Sequence, residues 1–150
     1  MSLHTTIKEG IKDAMRAKDA VRLSVLRGLL AAFVNELVVM KEKPDGELSD
    51  DVALTVISRE AKKHKESISQ FDAAGRTDLS EGEKAELAII ETFLPAQMSR
   101  EEIVAVVQKK KEELNADASQ KGVFIGAVMK ELKGKADGKI VQEVVNEILK

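Results

Sequence analysis

The chain has 150 residues, of which 43% are hydrophobic and 33% charged, enough for one soluble domain or two small modules. It contains four Phe but no Tyr, Trp or Cys. The absence of Cys excludes disulfide frameworks, thiol nucleophiles and thiolate zinc sites. A core of aliphatic side chains suits helix packing better than a β-sandwich. With a net charge of -2, any site for a polyanion must be a local patch.

Signals for membranes and secretion are not found in the sequence. The first ten residues lack the apolar core of a secretory signal. The longest apolar run, residues 29–34, is far shorter than the roughly 20 residues that a membrane-spanning helix needs. We therefore expect no membrane association and predict a cytoplasmic location.

Two helices are predicted in the first 40 residues. Leu3, Ile7, Ile11 and Met15 recur every four residues and predict a helix over 3–17. Asp19 is a predicted N-cap for a second helix that continues to about residue 40. Apolar residues cover most of the circumference of this second helix, which places it at the centre of a bundle.

Two further helices are predicted before residue 95. Ser49 can cap a third helix that ends at about residue 74, with Gly75 as the residue after its C-cap. The basic stretch 62–65 is predicted to be its solvated face, with an RNA-binding track as the alternative. A fourth helix is predicted from about Ser80 to Phe93, and Pro95 ends it.

A three-helix module is predicted after residue 95. Ser99 and Glu102 form a capping box ahead of a helix that ends near residue 114. A sixth helix covers about 120–132, and Asp137 is a predicted N-cap for the seventh. The chain is thus predicted to be all-α, with an N-terminal module of about four helices over 1–95 and a C-terminal three-helix module over 96–150.

Lysines and glycines concentrate where the last two helices meet. From residue 121 to 139 there are five lysines and two carboxylates, a local charge of +3. Gly122 and Gly126 share one helix face, which suggests that another backbone or a ligand approaches closely. Gly134 is predicted to follow a helix C-cap. Such a corner can bind phosphate, although a solvated basic rim is the alternative.

Four segments resemble the YqeY family of stand-alone proteins. They are residues 22–36, RLSVLRGLLAAFVNE; 58–79, SREAKKHKESISQFDAAGRTDL; 89–103, IIETFLPAQMSREEI; and 124–149, FIGAVMKELKGKADGKIVQEVVNEIL. The last segment also resembles the C-terminal tail of the B subunit of the tRNA-dependent amidotransferase, which amidates Asp-tRNA(Asn) or Glu-tRNA(Gln). The resemblance implies two helical modules and a link to tRNA.

The resemblance also implies which residues contact RNA. Lys130, Lys133, Lys135 and the turn at Gly134 match the motif, and the neighbouring Lys139 completes the predicted RNA-binding set. Asp137 replaces the Asn that is common in the subunit and adds a negative charge. The implied partners are tRNA and either an aminoacyl-tRNA synthetase or an amidotransferase component.

No catalytic constellation is predicted from the sequence. His4 and His64 are the only histidines, and neither lies in an HExxH or ExxH pattern, so no metal site is predicted. No phosphate-binding glycine motif and no nucleophile motif occurs, and no cofactor is expected. A tRNA-associated binding protein is favoured. The alternatives are a helical protein–protein adaptor and an amidotransferase-related carbon–nitrogen ligase with glutamine as amido donor.

Overall fold

The computed structural model describes residues 1–132 and 135–150, and this part of the chain is helical without strands. The all-α prediction is therefore confirmed. The α-helices of the described residues are α1 Leu3–Ala17, α2 Ala20–Val39, α3 Asp50–Ala73, α4 Thr77–Glu91, α5 Arg100–Leu114, α6 Lys121–Leu132 and α7 Gly138–Ile148. A short 3-10 helix, Ala118–Gln120, precedes α6.

The described chain divides into two compact units, Met1–Leu94 and Pro95–Lys150. Each unit has a hydrophobic core of its own, contributed by α1–α4 in the first and by α5–α7 in the second. That residues 1–95 and 96–150 fold as separate domains stays a prediction.

Side-chain caps fix most of the helix starts where they were predicted. Asp19 accepts a hydrogen bond from the backbone N–H of Arg22 at 3.1 Å and caps α2. Ser49 caps α3 in the same way. Ser99 and Glu102 form the predicted capping box at the start of α5, which satisfies two backbone donors reciprocally.

The start of α4 differs from the prediction. The helix begins at Thr77 rather than at Ser80, and its N-cap residue, Arg76, makes no side-chain capping bond. Ser80 lies inside the first turn, where its backbone N–H donates to the carbonyl of Arg76 at 3.0 Å. Its side chain is fully buried, and the hydroxyl has no hydrogen-bond partner among the described residues.

Helix α2 is central to the first unit, as its all-round apolar surface predicts. It packs against α1, α3 and α4. Its buried residues are Val25, Leu26, Leu29, Phe33 and Leu37. The two arginines of this helix lie outside its buried face. Arg27 is exposed, and the guanidinium of Arg22 lies 5.9 Å from the ring centroid of Phe93.

A buried histidine ties the first helix to the loop before α3. His4 is 1% exposed, and its Nδ1 accepts a hydrogen bond from the backbone N–H of Leu48 at 3.0 Å. The imidazole also contacts Phe33, with ring centroids 5.1 Å apart. Burial lowers the pKa of His4, so the fold favours the neutral ring that can accept this bond.

The second unit packs the buried faces of three helices together. Its largest fully buried side chains are Phe124, Ile103, Leu149, Val107 and Val128. The start of α7 lies close to α6, because a Cβ added at Gly138 would be 2.9 Å from Cε of Met129. Asp137 caps α7, as predicted, by accepting a hydrogen bond from the backbone N–H of Lys139 at 2.9 Å.

The central position of α2 makes its buried face sensitive to truncation. Leu26→Ala is expected to lower the free energy of unfolding by about 2–5 kcal/mol, because the 0% exposed side chain leaves a cavity in the core. Val39→Ala, on the same helix at 74% exposure, is expected to change it by less than about 0.5 kcal/mol. Denaturant unfolding of both variants measures the difference, and equal losses would contradict the assigned orientation of α2.

The buried His4 makes stability depend on pH. The unfolded chain binds a proton at His4 near the ordinary pKa of about 6.5, whereas the folded protein keeps the ring neutral to lower pH. The free energy of unfolding contributed by His4 is thus complete above this pH and is lost as the pH falls through about 6.5 towards the lowered pKa.

The control variant is His4→Asn, whose side-chain carbonyl can still accept from Leu48. We expect the gap in unfolding free energy between wild type and this variant to shrink between about pH 8 and pH 5.5. Denaturant titrations at each pH measure the gap, since the other titrating groups are common to both proteins. A gap that is independent of pH would show that His4 is not held neutral.

Candidate functional site

The predicted RNA-binding lysines lie on both sides of the connection between α6 and α7. Lys130 is in the last turn of α6, Lys139 is in the first turn of α7, and Lys135 lies between the helices. All three are exposed. Lys133 and Gly134, which were predicted to belong to the same site, lie outside the described residues.

The carboxylates of α6 and α7 are already paired with cations of α5. Glu131 is 3.1 Å from Nζ of Lys110. Glu143 and Glu147 lie 3.2 Å and 2.6 Å from the guanidinium of Arg100. These three are all the glutamates of α6 and α7.

No glutamate of α6 or α7 pairs with a described lysine of the connection between these helices. Within the described residues, Lys130, Lys135 and Lys139 make no ion pair. The one further carboxylate, Asp137, accepts the backbone N–H bond that caps α7. The region therefore has a local excess of positive charge, with three ammonium groups against the carboxylate of Asp137, although the whole chain has a net charge of -2.

The close approach of another backbone that was expected at Gly122 and Gly126 is not found among the described residues. A Cβ added at either position meets no atom within 4 Å among the described residues, so neither glycine marks a close approach within the fold. The reason is helix geometry. Phe124 and Val128 of the same helix are buried, and residues two positions away from them point to the opposite side. The close approach occurs instead at Gly138, opposite Met129.

A second cluster of polar groups lies between α3 and α4 in the first unit. Lys62, Lys63 and Lys65 are exposed, as expected for a solvated face, but His64 turns inward and is half-buried. Its Nδ1 lies 3.0 Å from the backbone carbonyl oxygen of Glu60. Its Nε2 lies 3.0 Å from Oε2 of Glu86 and 3.6 Å from Oε2 of Glu83.

Opposing effects act on the pKa of His64. Burial lowers this pKa, because it disfavours the charged ring. The hydrogen bonds with the carbonyl of Glu60 and with Glu86, and the negative charges of Glu83 and Glu86, outweigh burial and raise it. The net shift is upward, so the surroundings of His64 stabilise a positive charge next to Nε2.

A small cavity adjoins this cluster. It has a volume of about 150 Å³ and is lined on one side by His64, Glu60 and Glu86. Ser24 and Gly28 of α2 complete the polar rim, and apolar side chains form the rest of the lining. The space next to Gly28 is open, since a Cβ there would meet nothing within 4 Å among the described residues. A few water molecules or a small ligand atom can reach His64 from this side.

The His64 cluster could not be predicted from a sequence motif. Its side chains come from two helices. His64 is separated from Glu86 by 22 positions, so no short motif contains both. The available signal is the i, i+3 pair of Glu83 and Glu86 on a helix that follows α3 after a short turn. A helical hairpin brings such a pair against α3, but the register of the two helices is set by their packing.

Comparison with known proteins connects nearly the whole chain to one family. The sequence pattern described as Yqey-like protein matches residues 4–149. A relative from Pyrenophora tritici-repentis, named Altered inheritance of mitochondria protein 41, mitochondrial, is 28% identical over 148 residues, which cover 95% of this chain and 78% of the relative. This name indicates no ligand and no reaction.

Two yeast proteins with the same name are also similar. The protein from Kluyveromyces lactis is 35% identical over 103 residues, which cover 67% of this chain and 54% of the relative. The protein from Saccharomyces cerevisiae strain YJM789 is 31% identical over 134 residues, which cover 87% of this chain and 70% of the relative.

The predicted cytoplasmic location is wrong by this comparison. All three relatives carry the word mitochondrial in their names, which contradicts it. The prediction depended on the lack of a secretory signal in the first ten residues, a feature that carries no information on a mitochondrial location. Among the described residues, no helix has both the length and the apolar character needed to span a membrane.

The open surroundings of Gly126 lead to a stability prediction. Gly126→Ala is expected to raise the free energy of unfolding by about 0.5–1 kcal/mol, because alanine favours the helix and its Cβ meets no neighbour. Gly138→Ala is the comparison, since its Cβ displaces the end of Met129 and so gains less. Thermal and denaturant unfolding check both variants. A destabilised Gly126→Ala protein would show that another group contacts this face.

Proposed function

The chain belongs to the YqeY family, and on that premise we propose that it is a tRNA-binding protein whose C-terminal unit contacts the phosphate backbone. The resemblance of residues 124–149 to the tail of the amidotransferase B subunit supports tRNA as the ligand. The observation that carries the proposal is the exposure of Lys130, Lys135 and Lys139 without ion-pair partners in the described part of the chain.

The charge distribution supports phosphate as the group that is bound. Arg100 and Lys110 pair with the three glutamates of α6 and α7, so none of these glutamates pairs with Lys130, Lys135 or Lys139. Asp137 occupies the N-terminus of α7, where it competes with a phosphate for the free backbone amides. The contacts to phosphate therefore come from lysine side chains.

The lack of exposed aromatic residues in the second unit favours recognition of the RNA backbone and shape over recognition of bases. Phe124 is the only aromatic residue in positions 95–150, and it is 2% exposed in the core. The second unit thus offers no aromatic side chain on which an unpaired base could stack. Binding that depends on lysine–phosphate contacts is weakly sequence-specific and strongly dependent on salt.

The proposed role is that of an accessory binding protein in tRNA-dependent amidation. The proposed partner is a synthetase or an amidotransferase component, which would supply the chemistry. The proposed function needs only a surface that holds tRNA.

Removal of the three lysine charges tests the proposal. The triple variant Lys130→Gln, Lys135→Gln, Lys139→Gln is expected to bind total tRNA about tenfold or more weakly at low salt. Because each lost phosphate contact lowers the salt slope by slightly less than one, the slope of log K against log salt should fall by about 2–3. Fluorescence anisotropy with labelled tRNA at several salt concentrations measures both quantities.

A matched control carries the same change of net charge in the first unit. Lys8, Lys18 and Lys43 are exposed, and their replacement by Gln also removes three positive charges. This control is expected to bind tRNA with nearly the affinity of wild type and with the same slope of log K against log salt. The proposal fails if wild type does not bind tRNA at low salt, or if the two triple variants lose affinity equally.

A further inference from the structure

We propose that His64, Glu83 and Glu86 bind a divalent transition-metal ion of the zinc class between α3 and α4. One ligand atom from each of these residues lies within 4.8 Å of the other two. The site belongs to the first unit and shares no residue with the proposed RNA interface. Metal binding at this site is therefore independent of the proposed tRNA binding.

The hydrogen bond of Nδ1 sets the chemistry of the imidazole. A backbone carbonyl can only accept, so Nδ1 of His64 must carry the proton that it donates to the carbonyl of Glu60 at 3.0 Å. In the neutral ring the lone pair of Nε2 then points towards the carboxylates. Histidines that bind metals commonly donate their second ring N–H to a carbonyl in this way, which fixes the tautomer and the ring orientation.

The two carboxylates require a cation next to Nε2. Glu86 and Glu83 approach this nitrogen to 3.0 Å and 3.6 Å. A lone pair and two negative charges repel one another unless a proton or a metal ion lies between them. A proton on Nε2 can be shared closely with one carboxylate, whereas a metal ion can bind all three donors at once.

The spacing fits a coordination sphere after small side-chain movements. Metal–ligand bonds of about 2.1 Å place neighbouring ligand atoms roughly 3–3.5 Å apart. The distances from Nε2 already lie near this range, and both glutamates are half-buried on one helix. Closure of the site therefore needs rotation of carboxylate groups and no change in the positions of α3 and α4.

The adjoining cavity supplies the remaining coordination positions. His64 and Glu86 both line the cavity of about 150 Å³, so a bound ion can also hold water. Three protein ligands with an open fourth position are typical of zinc sites that bind an exchangeable ligand. One imidazole nitrogen and two carboxylates favour Zn²⁺ over Mg²⁺, which prefers oxygen ligands and retains most of its water.

Titration of the metal-free 150-residue chain with ZnCl₂ tests the site. Calorimetry should give one Zn²⁺ per chain, and Zn²⁺ should raise the thermal unfolding temperature, because it binds the folded state. His64→Ala and the double variant Glu83→Gln, Glu86→Gln should each bind Zn²⁺ at least about tenfold more weakly. MgCl₂ should bind more weakly than ZnCl₂ to wild type.

Matched controls separate a metal site from general loss of histidine or acidic charge. His4→Asn removes the other histidine, and Glu81→Gln with Glu91→Gln removes two exposed carboxylates of the same helix. Both controls should bind Zn²⁺ as wild type does. In NMR spectra of the imidazoles, Zn²⁺ should shift the Nε2 signal of His64 and leave that of His4 unchanged.

Three results would overturn the proposal. The first is that wild type shows no heat of Zn²⁺ binding and no rise in unfolding temperature. The second is that the His64 and glutamate variants, shown to be folded by circular dichroism, bind as wild type does. The third is that the His64 signal responds to pH but not to Zn²⁺, which would identify the cluster as an imidazolium paired with two carboxylates.

Discussion

Burial of the apolar surface of α2 is the interaction on which the first unit depends. No other helix of that unit is apolar on so many sides, and α1, α3 and α4 each cover part of it. Helices α3 and α4 both pack on α2, and as a hairpin they also pack against each other, which brings His64 next to Glu83 and Glu86. The polar cluster thus lies at the contact between two of the helices that cover α2.

In the second unit, the local charge of the surface depends more on which residues form ion pairs than on the number of charged residues. The chain is nearly neutral, but Arg100 and Lys110 neutralise the glutamates that could otherwise pair with the lysines of the corner. Each exposed pair contributes little stability, about 0–1 kcal/mol. Its larger effect is to decide which cations stay available to a phosphate.

Local signals in the sequence predicted the helices well where a cap is present. Asp19, Ser49 and Ser99 cap helices as predicted, since a cap depends only on residues within one turn. The prediction failed at α4, whose N-cap residue Arg76 has no side-chain capping bond. Ser80, the predicted first residue, instead lies buried within the first turn.

The sequence by itself determined the all-α class, the apolar faces of the helices and the cluster of lysines near residue 135, because these follow from composition and from spacing along one chain. The tertiary structure decided which charges meet. It paired Glu131 with Lys110, left Gly126 facing open space and placed His64 against Glu86. The register between helices is set by side-chain packing over the whole interface, and no local pattern contains that information.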